Sequence, residues 1–325
     1  MAVRAVNCES LEIELRTGIP YANLIMNQAR FSEALGELLD IAPESIIATP
    51  GTTGAIEAVR NHVFKNRRTG TPRVLTVSPG YWRARECFEG LGFTISDVKI
   101  EPHGFAIDEA EISARMMAEA PDLLYLSLPN NPTGAIFNPH QIVNGAPAKT
   151  AILFDLTLPS YKLDPLELTR SLYTQFQGRQ SLFVASSTSK SHNTAESRIG
   201  WLVCINSDDA RDLRHENRNV VSSAAIQHGL DHIGKTPLAL QRIAESFEVL
   251  QQGAKKGRFA IVKPKNWAET VYVLVRANRD LKQILTENRI KVMWGSEYGL
   301  SDQYIRLETL EPSHIEVFVN TVNSY

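Results

Sequence analysis

The chain has too few cysteines, set too far apart, for a covalent or metal-clipped framework. Its three, Cys8, Cys87 and Cys204, read as reduced thiols rather than a disulfide frame. No Cys/His cluster has zinc-ligand spacing, so no metal site is expected. No apolar run approaches the roughly 18–20 residues needed to span a bilayer. Arg4, Glu9, Glu12 and Glu14 interrupt the first residues, which therefore lack the apolar stretch of a secretion signal. A cytoplasmic protein without a membrane partner is expected. Charge of one sign is also missing. Against 34 Lys+Arg stand 36 Asp+Glu, a net charge of −2, which leaves no footprint for nucleic acid or an acidic membrane. No internal repeat or low-complexity tract is apparent.

What is present is an ordinary globular composition: 325 residues, 43% hydrophobic and 22% charged, enough for about two domains with their own cores. Residues 31–39 have helical spacing, with Phe31, Leu35, Leu38 and Leu39 on one face. A strand-like run at 45–49 leads through Gly51-Thr52-Thr53-Gly54 to a helix over 55–64. Strands are predicted at 73–77, 123–128, 151–154, 182–186 and 201–205, with a helix near 82–90 and further helical or loop segments between. This βαβα rhythm predicts an α/β fold, a three-layer αβα large domain with a mainly parallel sheet. Beyond about residue 235 the pattern changes. A helix over 237–252, strands at 270–275, 291–294 and 304–307, and helices near 281–287 and 313–322 form a smaller α+β C-terminal domain. The expected division is an arm over 1–21, a large domain over 22–235 and a small domain over 236–325.

Five segments carry chemistry, and each also has an ordinary reading. Gly51, Thr52 and Thr53 open a helix after a strand, where free N–H groups and the helix dipole suit a phosphate; a threonine-capped turn reads the same way. Tyr81, past a strand end, offers a face for a flat ring or is a loop aromatic. Asn130-Asn131-Pro132-Thr133-Gly134 is a turn in composition, yet proline restricts Asn131 and can aim its amide inward. Asp155 ends an apolar strand, where ligands of open α/β sheets bind, or caps a turn. Arg306, in a strand-like run, either grips a carboxylate through two hydrogen bonds or points to solvent from an edge.

Lys190 stands out beside them. It closes the run Ser186-Ser187-Thr188-Ser189, and Arg198 follows it at a fixed offset before Ile199-Gly200-Trp201. An amine among hydroxyls, with a guanidinium nearby, suits a carbonyl-reactive lysine beside a bound phosphate. Taken in this order, the segments resemble the fold-type I pyridoxal-phosphate enzymes, specifically the class I and II aminotransferases and their histidinol-phosphate-aminotransferase-like branch. The resemblance runs from about Tyr21 to Arg306.

The resemblance implies pyridoxal 5'-phosphate as cofactor, joined to Lys190 as a Schiff base. It also implies that Lys190 shuttles the proton from the substrate Cα. By the same likeness Asn131 bonds the ring hydroxyl, Asp155 pairs with the ring nitrogen and Tyr81 stacks on the ring. Gly51, Thr52, Thr53, Ser187 and Arg198 form the phosphate cup, and Arg306 anchors the substrate carboxylate. A homodimer with a shared site is implied, with Tyr21 reaching the phosphate across the interface. The implied reaction moves an amino group from an α-amino acid, or a related amine, to a 2-oxo acid.

Departures from the family pattern keep other readings open. The family has a tyrosine three residues after the aspartate; here Leu158 stands there, and Tyr161 is the candidate replacement. No glycine-rich substrate-covering segment is visible before Tyr21. A lyase, decarboxylase or oxidase on the same fold therefore remains an alternative, as does a catalytically silent relative. His192, Asn193 and Glu196 lie between Lys190 and Arg198 and either contact substrate, His192 foremost, or form a solvated loop. Arg16, Arg30 and Arg218 are further candidates for a distal acidic group, or plain surface charges.

Overall fold

The computed structural model describes residues 21–67, 70–216, 221–278 and 280–325, and of residues 21–25 the backbone alone. Seven strands form the larger sheet: β1 (Ile46–Thr49), β2 (Arg73–Ser78), β3 (Thr94–Lys99), β4 (Leu123–Ser127), β5 (Ala151–Asp155), β6 (Leu182–Ser187) and β7 (Gly200–Cys204). Their order is β1-β7-β6-β5-β4-β2-β3. From β3 to β6 the neighbours run parallel, whereas β7 is antiparallel to both β6 and β1. The mainly parallel expectation is met.

Alternate side chains of these strands enter two different cores. In β4, Leu123 and Tyr125 belong to one cluster, while Leu124 and Leu126 belong to the other. A period of two with apolar residues at every position is the mark of a sheet covered on both faces. Helices Tyr21–Leu39 and Ser223–His232 supply Phe31, Leu35, Leu39 and Ile226 to the first face. Helices Gly51–Asn66 and Ser207–Glu216 supply Ile56, Val59, Ala210 and Leu213 to the second. Helix Tyr21–Leu39 starts well before the apolar face at Phe31 that marked it in sequence.

A second, antiparallel sheet of four strands follows: β8 (Phe259–Ile261), β9 (Tyr272–Ala277), β10 (Met293–Trp294) and β11 (Tyr304–Glu308), in the order β10-β11-β9-β8. Helices Ala239–Ala254 and Pro312–Ser324 pack on it through Ile243, Phe247, Leu250, Ile315 and Phe318. The two helices touch closely at Gly253, where a Cβ would lie 2.4 Å from a methyl of Val319. Leu158, from the loop after β5, joins this third core. No described helix is long and apolar enough to cross a membrane.

The strand directions place the site. The C-terminal ends of β2, β4, β5 and β6 share one edge of the sheet. Because β7 runs against β6, its first residue, Gly200, pairs with the last of β6, Ser187. Gly200 also pairs with Thr49, the last residue of β1. The turns after β1, β2, β4, β5 and β6, and the one before β7, therefore meet at one edge, where open α/β sheets bind ligands.

Candidate active site

A cleft of about 830 Å³ opens at that edge, lined among others by Thr52, Tyr81, Asn131, Asp155, Lys190 and Arg198, with Arg306 and Tyr272 from the smaller sheet. Thr53 lines it too. Eight of the residues singled out in sequence thus come together from segments far apart in the chain.

At one end is an anion cradle. Helix Gly51–Asn66 begins after Pro50 with no side-chain cap, so its first N–H groups have no internal acceptor, and Thr52 and Thr53 of its first turn line the cleft. Gly51 has φ +72°, and a Cβ there would sit 2.6 Å from Arg198 Nη2. Only glycine lets the guanidinium close on this turn, where Nη2 donates to the Pro50 carbonyl at 2.9 Å. Arg198 itself takes a left-handed conformation, φ 53°, and Nη1 donates to the Ala195 carbonyl at 3.2 Å. Ser189 lines the cleft beside Lys190. Ser187 lies one step back: it is buried, its Oγ is 2.7 Å from that of Ser189, and it lines a different cavity.

In the middle is a buried acid. Asp155 accepts from the Tyr125 hydroxyl at 3.0 Å and from the Thr157 backbone N–H at 3.0 Å. Burial pushes its carboxyl above the ordinary carboxylate range, against the pull of the Thr157 and Tyr125 bonds. Burial, with the Asp155 charge second, pushes the Tyr81 phenol up to about 12, so the ring is neutral. Thr157 also meets Thr52 hydroxyl to hydroxyl, which ties the loop after β5 to the cradle. Tyr125 and Thr157 escape sequence reasoning. Tyr125 looks like a core strand residue, and only the alternation of β4 turns its hydroxyl toward Asp155.

At the far end the smaller sheet closes the cleft. The Arg306 guanidinium lies 4.0 Å from the Tyr272 ring centroid and 5.5 Å from that of Tyr298. Its hydrogen-bond partners are uncharged: the Asn131 amide oxygen at 3.3 Å and the Met293 thioether. A cation held between aromatic faces and bonded only to neutral acceptors keeps its affinity for an anion. Lys190 Nζ lies 5.2 Å from the Tyr272 ring centroid and 3.6 Å from Glu308 Oε1.

Three assignments are corrected: Ser187, His192 and Tyr161 line a separate cavity and not the cleft. His192 does not face the cleft. It follows helix Thr188–Ser191, and two residues along a helical turn rotate a side chain by about 200°, so Lys190 and His192 point to opposite sides. His192 lies instead in a cavity of about 380 Å³ with Ser187 and His232, its ring 5.1 Å from that of His232. Burial, with the neighbouring His232 second, pushes it down to about 4. Tyr161 lines the same separate cavity and is 64% exposed. The Ser160–Leu163 bridge encloses it in a turn, apart from the cleft that Asp155 lines. Leu158 keeps its place on the cleft wall, buried, so that position presents methyl groups. Arg30, Asn193 and Glu196 are exposed and do not line the cleft. The side chain of Tyr21, and all of Arg16 and Arg218, lie outside the described residues.

The residues present fit pyridoxal 5'-phosphate. The cradle of Gly51, the uncapped helix start and Arg198 suit its phosphate. The Tyr81 ring, the buried Asp155 and the Lys190 amine suit its ring and aldehyde. Fold and cleft together define the fold-type I class of pyridoxal-phosphate enzymes. The comparisons agree: the family model described as aminotransferase class I and II matches residues 21–322, and the chain belongs to that family. It is similar to the 3-methylarginine biosynthesis aminotransferase ArgM of Streptomyces arginensis, with 23% identity over 88% of this chain and 78% of the relative. Among solved structures it resembles the histidinol-phosphate aminotransferase of Sinorhizobium meliloti in complex with pyridoxal-5'-phosphate (TM-score 0.71, 17% identity, 92% of this chain and 82% of that one). It also resembles the L-threonine-O-3-phosphate decarboxylase of Porphyromonas gingivalis (TM-score 0.69, 17% identity, 91% and 90%). One fold thus carries both reaction types, and the fold alone does not select between them.

Proposed function

We propose that this pyridoxal-phosphate aminotransferase moves an amino group between an α-amino acid and a 2-oxo acid, with Lys190 as its reacting amine. The observation that carries the reading is the convergence of Lys190, Asp155 and Asn131 from three strand ends with Arg306 from the smaller sheet. When bound, the cofactor supplies an aldehyde for an amine to join and a ring that holds the negative charge released at Cα.

The chain's residues divide the remaining work. Gly51, Thr52, Thr53, Ser189 and Arg198 hold the phosphate end. Tyr81 lies along the ring. The Oδ1 of Asn131 is engaged by Arg306, which leaves its Nδ2 free to donate to the ring hydroxyl. Asp155, oriented by Tyr125 and Thr157, would hold the ring nitrogen and keep it protonated. A cationic partner also relieves the cost of ionising a buried carboxyl. Arg306 receives the substrate carboxylate through its two parallel N–H bonds. Lys190 would hold the cofactor's aldehyde, and its Nζ is the amine placed in the cleft to take up and move a proton at the substrate Cα.

A second reading, decarboxylation or elimination at the same centre, draws on Leu158, which presents methyl groups where the family has a hydroxyl. The deciding experiment follows the visible absorbance of the cofactor-loaded protein on adding single amino acids. Bleaching with release of one equivalent of 2-oxo acid supports transamination; release of ammonia or carbon dioxide instead overturns it. We also propose a homodimer, supported by the family's habit of completing its phosphate site across an interface. Sedimentation showing a fully active monomer would refute the dimer.

A further inference from the structure

Glu308 is the one carboxylate placed within ion-pair distance of Lys190 among the described residues, at 3.6 Å. It ends β11, two residues beyond Arg306, so both side chains leave the same face of the strand. Across the pair of strands its register partner is Tyr272. That ring lies under both the Arg306 guanidinium and Lys190 Nζ. The smaller sheet thus presents a cation and an anion about 7 Å apart along the strand, the cation over the Tyr272 ring and the anion beside the Lys190 amine.

We infer that Glu308 reads the α-ammonium of the incoming amino acid, so that Arg306 and Glu308 together recognise a zwitterion. The inference rests on the proposed transamination at Lys190 and deepens it. A substrate amine must come to the carbon that Lys190 occupies, hence to a point beside Nζ. A group beside Nζ is within reach of Glu308. While Lys190 is an ammonium, Glu308 is occupied by it. Glu308 lines the neighbouring cavity that Arg306 also borders and reaches the cleft at Lys190; with Lys190 holding the cofactor's aldehyde, the carboxylate would be available to a second cation at that place. Arg306, held by Tyr272 and by Asn131, fixes the negative end. A 2-oxo acid has the carboxylate but no ammonium, so it engages Arg306 alone. Glu308 therefore separates amino donor from oxo acceptor.

The Glu308 side chain is 50% exposed, so its effect is modest, about two- to fivefold in affinity. The test uses the cofactor-loaded protein and Glu308→Gln, with the two half-reactions measured separately. The expected result is a KM for alanine, aspartate and arginine raised by a similar factor, with the KM for their 2-oxo acids unchanged. A readout free of turnover is the perturbation of cofactor absorbance by two unreactive ligands: a carboxylic acid lacking the amine, and its trimethylammonium counterpart. Glu308→Gln is expected to weaken only the second. Glu308→Asp, which keeps the charge, is expected to restore most of the loss. An effect confined to arginine would mean that Glu308 reads a side-chain cation, and would overturn the proposal. Equal losses for donors and acceptors, or no loss for either, would overturn it as well. A wild-type protein that does not transaminate would instead sink the function itself, an outcome distinct from all of these.

Discussion

Replacing Gly51 by alanine should detach the phosphate grip while leaving the rest of the cleft in place. The backbone there has φ +72°, and a Cβ would lie 2.6 Å from Arg198 Nη2, 3.0 Å from its Cζ and 3.2 Å from Nη1. An L side chain in the left-handed region costs about 1–2 kcal/mol, and the clash forces the guanidinium off the Pro50 carbonyl. A charge-assisted hydrogen bond is worth about 1.5–3 kcal/mol. If the displaced guanidinium loses one such bond to the phosphate, cofactor affinity falls by about 10- to 150-fold. The assay is a fluorescence titration of cofactor-free protein with pyridoxal phosphate and, separately, with pyridoxal. The phosphate-bearing ligand should lose affinity and the phosphate-free one should not. Equal losses for both, or none for either, would refute the assignment of Gly51 and Arg198 to the phosphate.

Other predictions address the remaining parts of the site. Lys190→Ala should give no borohydride-reducible adduct with the cofactor, and a persistent covalent adduct would remove Lys190 from its role. Asp155→Asn should bind cofactor yet lower turnover by about 10²-fold or more, measured by stopped-flow at saturating donor. The same substitution should change pH behaviour. Because burial raises the Asp155 carboxyl in the cofactor-free fold, that fold binds more protons there than the unfolded chain. Stability contributed by this group is present at low pH and lost as pH rises past the ordinary carboxylate range. Asp155→Asn should remove that loss from the melting profile of the cofactor-free protein. His192 should show the opposite sign. With its imidazole lowered to about 4, stability is lost as pH falls from about 6.5 toward that value. His192→Gln should flatten this acid limb of the melting curve. Since both residues lie off the cleft, His192→Gln and Tyr161→Phe should each leave substrate KM within about twofold.

Much of this arrangement was legible along the chain. The apolar bursts of β4, β5 and β6 were visible because both faces of these strands are buried. The strand-end positions of Asn131, Asp155 and Lys190 follow from them. By contrast β3, Thr94–Lys99, is half-exposed at the sheet edge, and the polar residues of TISDVK hide it. What no local pattern carried was contact between distant segments. Tyr125 reaches Asp155, Thr157 meets Thr52, and Glu308 and Tyr272 face Lys190 from the other sheet. His192 and Tyr161 misled for a related reason. Closeness in sequence to Lys190 and Asp155 gave no direction, and the turn at 188–191 and the bend after Pro159 send both side chains elsewhere.

The pairing of Ser187 with Gly200 ties off the base of the excursion that bears Lys190 and Arg198. The reacting amine and the anion anchor are therefore two stations on a single lasso, whose neck is sewn into the sheet. Lengthening it would change the span between Lys190 and Arg198, and so between the proposed holds on the cofactor's aldehyde and on its phosphate.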